Sequence, residues 1–127
     1  MCMPNVAELP VCEAKAELFK ALGHPVRIRV LELLASGEHT MGELAKGTGL
    51  ELSHLSQHVS TLRRAGVVDS RRVKTTVLCR LRDPQMAELL GVARRLISAN
   101  LRQSQVLLAA LDDADALPAA KAAPVTS

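Results

Sequence analysis

The chain has 127 residues, 48% of them hydrophobic, which suits one domain with a real core and argues against wholesale disorder. With no Trp, no Tyr and one Phe it lacks the platforms on which single-stranded RNA and DNA binders stack bases, and cannot build an aromatic cage for quaternary ammonium groups. The formal charge of +3 is unevenly placed: residues 1–50 carry net −1, residues 51–82 net +5 and residues 83–127 net −1. The basic window is either a polyanion-binding face or a solvated charged face. The longest unbroken apolar run is Val106 to Leu111, too short to span a bilayer, and the N-terminus has Glu8 and Glu13 but no apolar signal region. Three cysteines at irregular spacing make no disulfide framework, so a reducing cytoplasm is the expected compartment.

Residues 1–13 hold two prolines and no period, and read as a flexible arm. From Ala14 to Leu22 a helix is expected with Leu18, Phe19 and Leu22 on one face. Gly23 and Pro25 break it and open a second helix, too apolar all round to be a surface helix and ended by Ser36-Gly37. Thr40-Met41-Gly42-Glu43 has the form of a capping box, starting a short helix that stops near Gly47-Thr48-Gly49. A further cap is expected at Ser53, and Leu55, Val59 and Leu62 mark a helix ending at Ala65-Gly66. Two short helices joined by a Gly-containing turn are the layout of a helix-turn-helix. From Val67 the pattern becomes β-branched and alternating. Val67-Val68, then Val77, Cys79 and Leu81, predict two strands joined by residues 71–76, a basic hairpin that would form a wing.

Asp83-Pro84 opens a last helix, expected to run to about Leu111. Along it Met86, Leu90, Ala93, Ile97, Asn100, Ser104, Leu107 and Leu111 recur in steps of four and three, a heptad seam in which Asn100 and Ser104 could fix register. The seam is read as a subunit interface rather than packing of the helix on its own domain. Residues 14–111 would thus be one domain with residues 84–111 as its dimerisation helix. The Ala/Pro-rich residues 112–127 are expected to be disordered.

On the helix holding Leu55, Val59 and Leu62, the direction opposite the apolar stripe belongs to Gln57 and Arg64, flanked by Ser53, His54, Ser60 and Thr61. These side chains are of the kinds that read base edges and phosphates. Gln57 suits a bidentate contact to adenine, Ser53 and Arg64 suit phosphate. His58 lies about 70° from the apolar centre, and bracing the helix or contacting DNA are equally open to it. Arg63, nearer the stripe, is expected to pair with an acidic neighbour.

The strings ALGHPVRIRVLELL, HTMGELAKGTGLELSHLSQHVSTLRRAGVV and SRRVKTTVLCRL lie within one connected stretch, roughly residues 15–111. Together they resemble the ArsR/SmtB family of small winged-helix bacterial repressors. The resemblance implies a mostly α fold of about five helices with a two-stranded wing. It also implies a homodimer built on the first and last helices, with Leu18 joining the seam, on an imperfect inverted repeat of double-stranded DNA. Ser53, His54, Ser56, Gln57, Ser60, Thr61 and Arg64 would then face the major groove, while Arg71, Arg72, Lys74 and Thr75 would track the backbone and minor groove from the wing. The chain departs from the family where Lys74 replaces the usual wing glycine and Cys79 a common strand aromatic. A rival reading is a winged-helix protein-interaction module acting through its last helix. An enzyme is not expected, because no His/Asp/Glu constellation shares a plausible pocket and no loop is built to cradle phosphate.

Effector release in the family commonly runs through metal sites on the first helix of the helix-turn-helix or on the last helix. Here the former reads Met41-Gly42-Glu43-Leu44-Ala45 without a thiol, and residues 84–111 hold no His or Cys and only Glu88 as an acid. Cys2 and Cys12, with His39 as a further candidate, remain for a transition-metal effector or a disulfide switch; the alternative is two incidental thiols on an arm. Cys79, in phase with Val77 and Leu81, is expected in the core, and His24, beside Pro25 at a helix start, is expected either to cap locally or to face solvent rather than to act as a ligand.

Overall fold

The computed structural model describes residues 9–114. In chain order these form α1 (Leu9–Leu22), α2 (Pro25–Ala35), β1 (His39–Thr40), α3 (Met41–Thr48) and α4 (Leu52–Arg64). The wing strands β2 (Val68–Val73) and β3 (Thr76–Leu81) follow, then α5 (Gln85–Ala114). The five helices and the basic hairpin of the sequence reading are all present. The chain divides into two units, Met1–Glu88 and Leu89–Ser127. Among the described residues no helix is long and apolar enough to cross a membrane.

Within the first unit, the core is built from Val30, Leu31 and Leu34 of α2, Leu44 of α3, Leu55, Val59 and Leu62 of α4, and Val68 and Cys79 of the hairpin, all buried. Each valine or leucine among them, taken fully from water, stabilises the fold by roughly 1.5–3 kcal/mol. Of the two readings of His24, capping holds: it opens α2, its Nδ1 accepting the Val26 N–H at 3.1 Å, and Pro25 fills the first turn. The capping box of α3 is also formed. Thr40 Oγ1 accepts the Glu43 N–H at 3.1 Å and Glu43 Oε1 accepts the Thr40 N–H at 2.8 Å. Those bonds hold the Glu43 carboxyl below its ordinary range, the Thr40 backbone bond being the largest cause. Gly49 ends α3 in the left-handed conformation, φ 75, where a side chain would be strained, so the chain can swing into α4 within three residues.

Several boundaries differ from the expectation. The arm assigned to residues 1–13 is helical from Leu9 onward, because Pro10 occupies the first turn of α1, where its missing N–H leaves no bond unmade. Residues 1–8 lie outside the described residues. Residues 112–114, assigned to the tail, continue α5: the run after Leu108 has no Gly or Pro and is rich in Ala, the best helix former. The rest of that tail lies outside the described residues. The cap expected at Ser53 is instead at Glu51, whose backbone is extended and whose carbonyl accepts the Leu55 N–H at 3.0 Å, with no side-chain cap bond. The wing strands are longer than expected, so only Lys74-Thr75 connects them, between the paired residues Val73 and Thr76. Finally, β1 adds a third antiparallel strand, order β1-β3-β2, with His39 opposite Cys79 and Thr40 opposite Leu78. Two residues are too few to carry a periodicity.

Candidate nucleic-acid interface

Helix α4 presents a mixed polar face because its apolar residues are spaced to leave one. Leu55, Val59 and Leu62 turn inward, while Ser53, His54, Ser56, Gln57 and Arg64 are exposed. Ser60 and Thr61 are half-buried. The Thr61 hydroxyl donates to the Gln57 carbonyl at 3.1 Å, and Arg64 Nη2 donates to Thr61 Oγ1 at 3.5 Å, so these three residues act together at the end of the helix. With no side-chain cap at Glu51, the first N–H groups of α4 are open to an anion.

His58 resolves toward bracing. Arg27 Nη1 lies 3.3 Å from His58 Nδ1, and since a guanidinium can only donate, Nδ1 accepts and the ring proton sits on Nε2. The His24 ring lies 4.4 Å from the His58 ring, centroid to centroid. Arg27 Nε in turn donates to the Ala21 carbonyl at 2.6 Å, so one chain of contacts ties α1, α2 and α4 together. Burial lowers the His58 pKa, with the charges of His24, Arg27 and His54 acting in the same sense. The cluster sets the seat of α4 rather than its outer face.

On the wing, pairing of Asp69 with Arg80 and of Arg71 with Leu78 places these four residues on one face, and Ser70 and Cys79 on the other. The first face carries an ion network that the charge count alone did not reveal. Asp69 lies 2.9 Å from Arg82 Nε and 3.7 Å from Arg80, and Arg71 lies 3.4 Å from Glu38. Arg71, Arg80 and Arg82 are therefore partly neutralised, whereas Arg72, Lys74 and Thr75 are exposed and make no side-chain ion pair or hydrogen bond among the described residues. Arg63 bonds the Ser70 hydroxyl at 3.2 Å rather than the expected acid, because the neighbouring wing position on its side is a serine. Lys74 itself adopts φ 57 in the two-residue turn, a left-handed geometry that glycine would take without strain.

The remaining candidates divide. Cys79 is buried as expected, its Sγ 3.6 Å from Met41 Sδ, and burial raises its pKa, keeping it a thiol. Cys12 is exposed on α1, Cys2 lies outside the described residues, and His39 sits 3.5 Å from Glu43 and 3.4 Å from Ser36 Oγ. Among the described residues no group of three or more His, Cys, Asp or Glu side chains could hold a metal ion. On α5, Met86, Leu90, Ser104 and Leu111 are half-buried, while Ala93, Ile97, Asn100 and Leu107 are exposed. Leu96, Leu101, Val106 and Leu108, outside the seam, are also more than half exposed. Leu18 on α1 is half-buried, and its neighbour Phe19 is 56% exposed.

A family model described as a helix-turn-helix domain matches residues 22–71. The uncharacterized HTH-type transcriptional regulator Rv0081 of Mycobacterium tuberculosis is 45% identical over 100 residues, spanning 78% of this chain and 88% of that protein. Its crystal structure matches with a TM-score of 0.69, covering 74% of this chain and 95% of that one. The biofilm growth-associated repressor of Xylella fastidiosa is 34% identical over 89 residues, 70% of this chain and 78% of its own length. A homodimeric winged helix-turn-helix DNA-binding domain of Mycobacterium bovis, described as a possible ArsR-family transcriptional regulator, matches with a TM-score of 0.71 at 26% identity. That match covers 81% of this chain and 95% of the other.

Proposed function

The chain belongs to the winged helix-turn-helix transcriptional regulators of the ArsR type, and from that premise we propose that it is a homodimeric repressor that binds an operator in duplex DNA. The observation that carries this reading is the conjunction of two exposed surfaces. One is the polar face of α4, with Gln57 and Arg64 at its centre; the other is the wing tip, where Arg72 and Lys74 have no acidic partner among the described residues.

In this reading α4 lies in the major groove. Gln57 reads a base edge, with Ser53, His54, Ser56 and Ser60 around it, while Arg64 and the open N-terminus of the helix take phosphates. Thr61 acts through its bonds to Gln57 and Arg64, holding their backbone and guanidinium. The wing supplies charge without sequence information: Arg72, Lys74 and Thr75 reach phosphates, and Arg71 joins them by exchanging Glu38 for DNA. Exchange is easy because a surface pair of this kind is worth only about 0–1 kcal/mol. The exposed apolar residues of α5 form a subunit interface, burying surface that a lone chain would leave in water.

Selection of bound duplexes from a random pool tests the reading. The expected product is an imperfect inverted repeat with half-sites about one helical turn, 10–10.5 bp, apart. A complex of two chains per duplex should be seen by light scattering. A single unrepeated site bound by one chain would contradict it, and binding to no duplex at all would favour the protein-interaction module.

A further inference from the structure

We propose that the groove between α1, α2 and the end of α4 binds a small organic anion carrying carboxylate or phosphate groups, and that this ligand lowers the affinity for DNA. The cavity has a volume of about 360 Å³, within the range of small-molecule sites, roughly 300–1,000 Å³. Its walls bring Lys20 of α1, Arg27 of α2 and Arg64 of α4 together with a single carboxylate, Glu17. Among the described residues Glu17 makes no ion pair with any of the three. Three cations drawn from three different helices thus face one concavity with one acid among them, an arrangement that an anion would stabilise.

Arg27 is the fixed member. Its Nε and Nη1 are held by the Ala21 carbonyl and His58, so the guanidinium is already immobilised and its Nη2 makes no further bond among the described residues. A pre-organised guanidinium loses little freedom on taking an oxyanion. Arg64 is held only by a long bond to Thr61 Oγ1, at 3.5 Å, and can turn toward either a ligand or DNA. Ala21, Thr61 and Ala65 complete the lining with small side chains, leaving room for a carbon skeleton between the charged groups.

The regulatory half of the proposal rests on the operator-binding reading, because Arg64 belongs to both surfaces. An anion seated between Lys20 and Arg27 engages the same guanidinium that a DNA phosphate would, so each ligand weakens the other, and by linkage to the same degree.

Binding is tested without DNA. The full chain is melted in citrate and in inorganic phosphate, each against sodium chloride at matched ionic strength, in wild type, Lys20→Glu and Glu17→Gln. Both substitutions lie on an exposed helical face. At ten times the dissociation constant the native state gains about elevenfold, a rise in melting temperature of roughly 5 °C. Lys20→Glu should weaken the anion about tenfold or more, and Glu17→Gln should tighten it. A rise no greater than chloride gives, or one that Lys20→Glu leaves intact, overturns the site. With binding established, the citrate that saturates the chain should weaken duplex binding severalfold at constant ionic strength. Unchanged duplex affinity would overturn the regulatory half. A wild-type chain that binds citrate but no duplex would instead overturn the repressor reading.

Discussion

Lys74→Gly should move stability and DNA affinity in opposite directions. Lys74 occupies one of two turn positions between Val73 and Thr76 with φ 57. For a residue with a Cβ the left-handed conformation costs about 1–2 kcal/mol. Glycine removes that cost but loses about 0.5–1 kcal/mol of extra chain entropy on folding. The net gain is about 0.5–1 kcal/mol, a rise in melting temperature of roughly 2–6 °C. The same change deletes an exposed cation at the wing tip. If each wing of a dimer touches one phosphate through this residue, the logarithmic salt dependence of binding should become shallower by about 0.9 per contact, close to two per dimer. The assay is a thermal melt beside fluorescence anisotropy on one duplex at several salt concentrations. Lys74→Ala is the control, losing the contact but keeping the strained backbone, so its binding should match Lys74→Gly while its melting temperature does not rise. An unchanged salt slope in both variants would refute the wing contact, and a lower melting temperature for Lys74→Gly would refute the strained turn.

Gln57→Ala should flatten the preference between operator and mutated duplexes by about 1–3 kcal/mol at the base it reads, with the salt slope unchanged; an unaltered preference would remove Gln57 from base readout. Glu38→Gln should release Arg71 to DNA and tighten binding a few-fold, more at low than at high salt. Equal affinity for wild type and variant at low salt would mean that Arg71 does not reach the backbone. His58, with its pKa lowered by burial, contributes stability that is fully present above its unfolded value and lost as pH falls through the lower folded value. Wild type should therefore lose more melting temperature than His58→Gln between about pH 7 and pH 5. Parallel curves would show that His58 is not the acid-sensitive group.

Features carried by neighbouring residues were legible in the sequence. The capping box at Thr40–Glu43, the apolar stripe of Leu55, Val59 and Leu62, and burial of Cys79 in phase with its strand are all local patterns, and all are found. The ArsR resemblance joined those pieces into one fold. What escaped depends on long-range pairing. Glu38 meets Arg71 across 33 residues and Arg27 meets His58 across 31, distances over which no periodicity speaks. The net +5 of residues 51–82 already counts Asp69, which holds Arg80 and Arg82, but not Glu38, which reaches in from outside the window to hold Arg71. The anomaly at Lys74 was visible as a missing glycine, but only the backbone angle shows how the chain accommodates it.

The outer face of α4 and the wing tip together should recognise one duplex in preference to others. The most direct test is the ratio of dissociation constants for a selected operator and a scrambled duplex of the same length and composition, measured on the wild-type chain at physiological salt. A specific regulator should show a ratio of about 10³ or more, with operator affinity in the nanomolar range. Equal affinity for the two duplexes, both lost together as salt rises, would mean that the basic window attracts DNA without reading it, and would contradict the account.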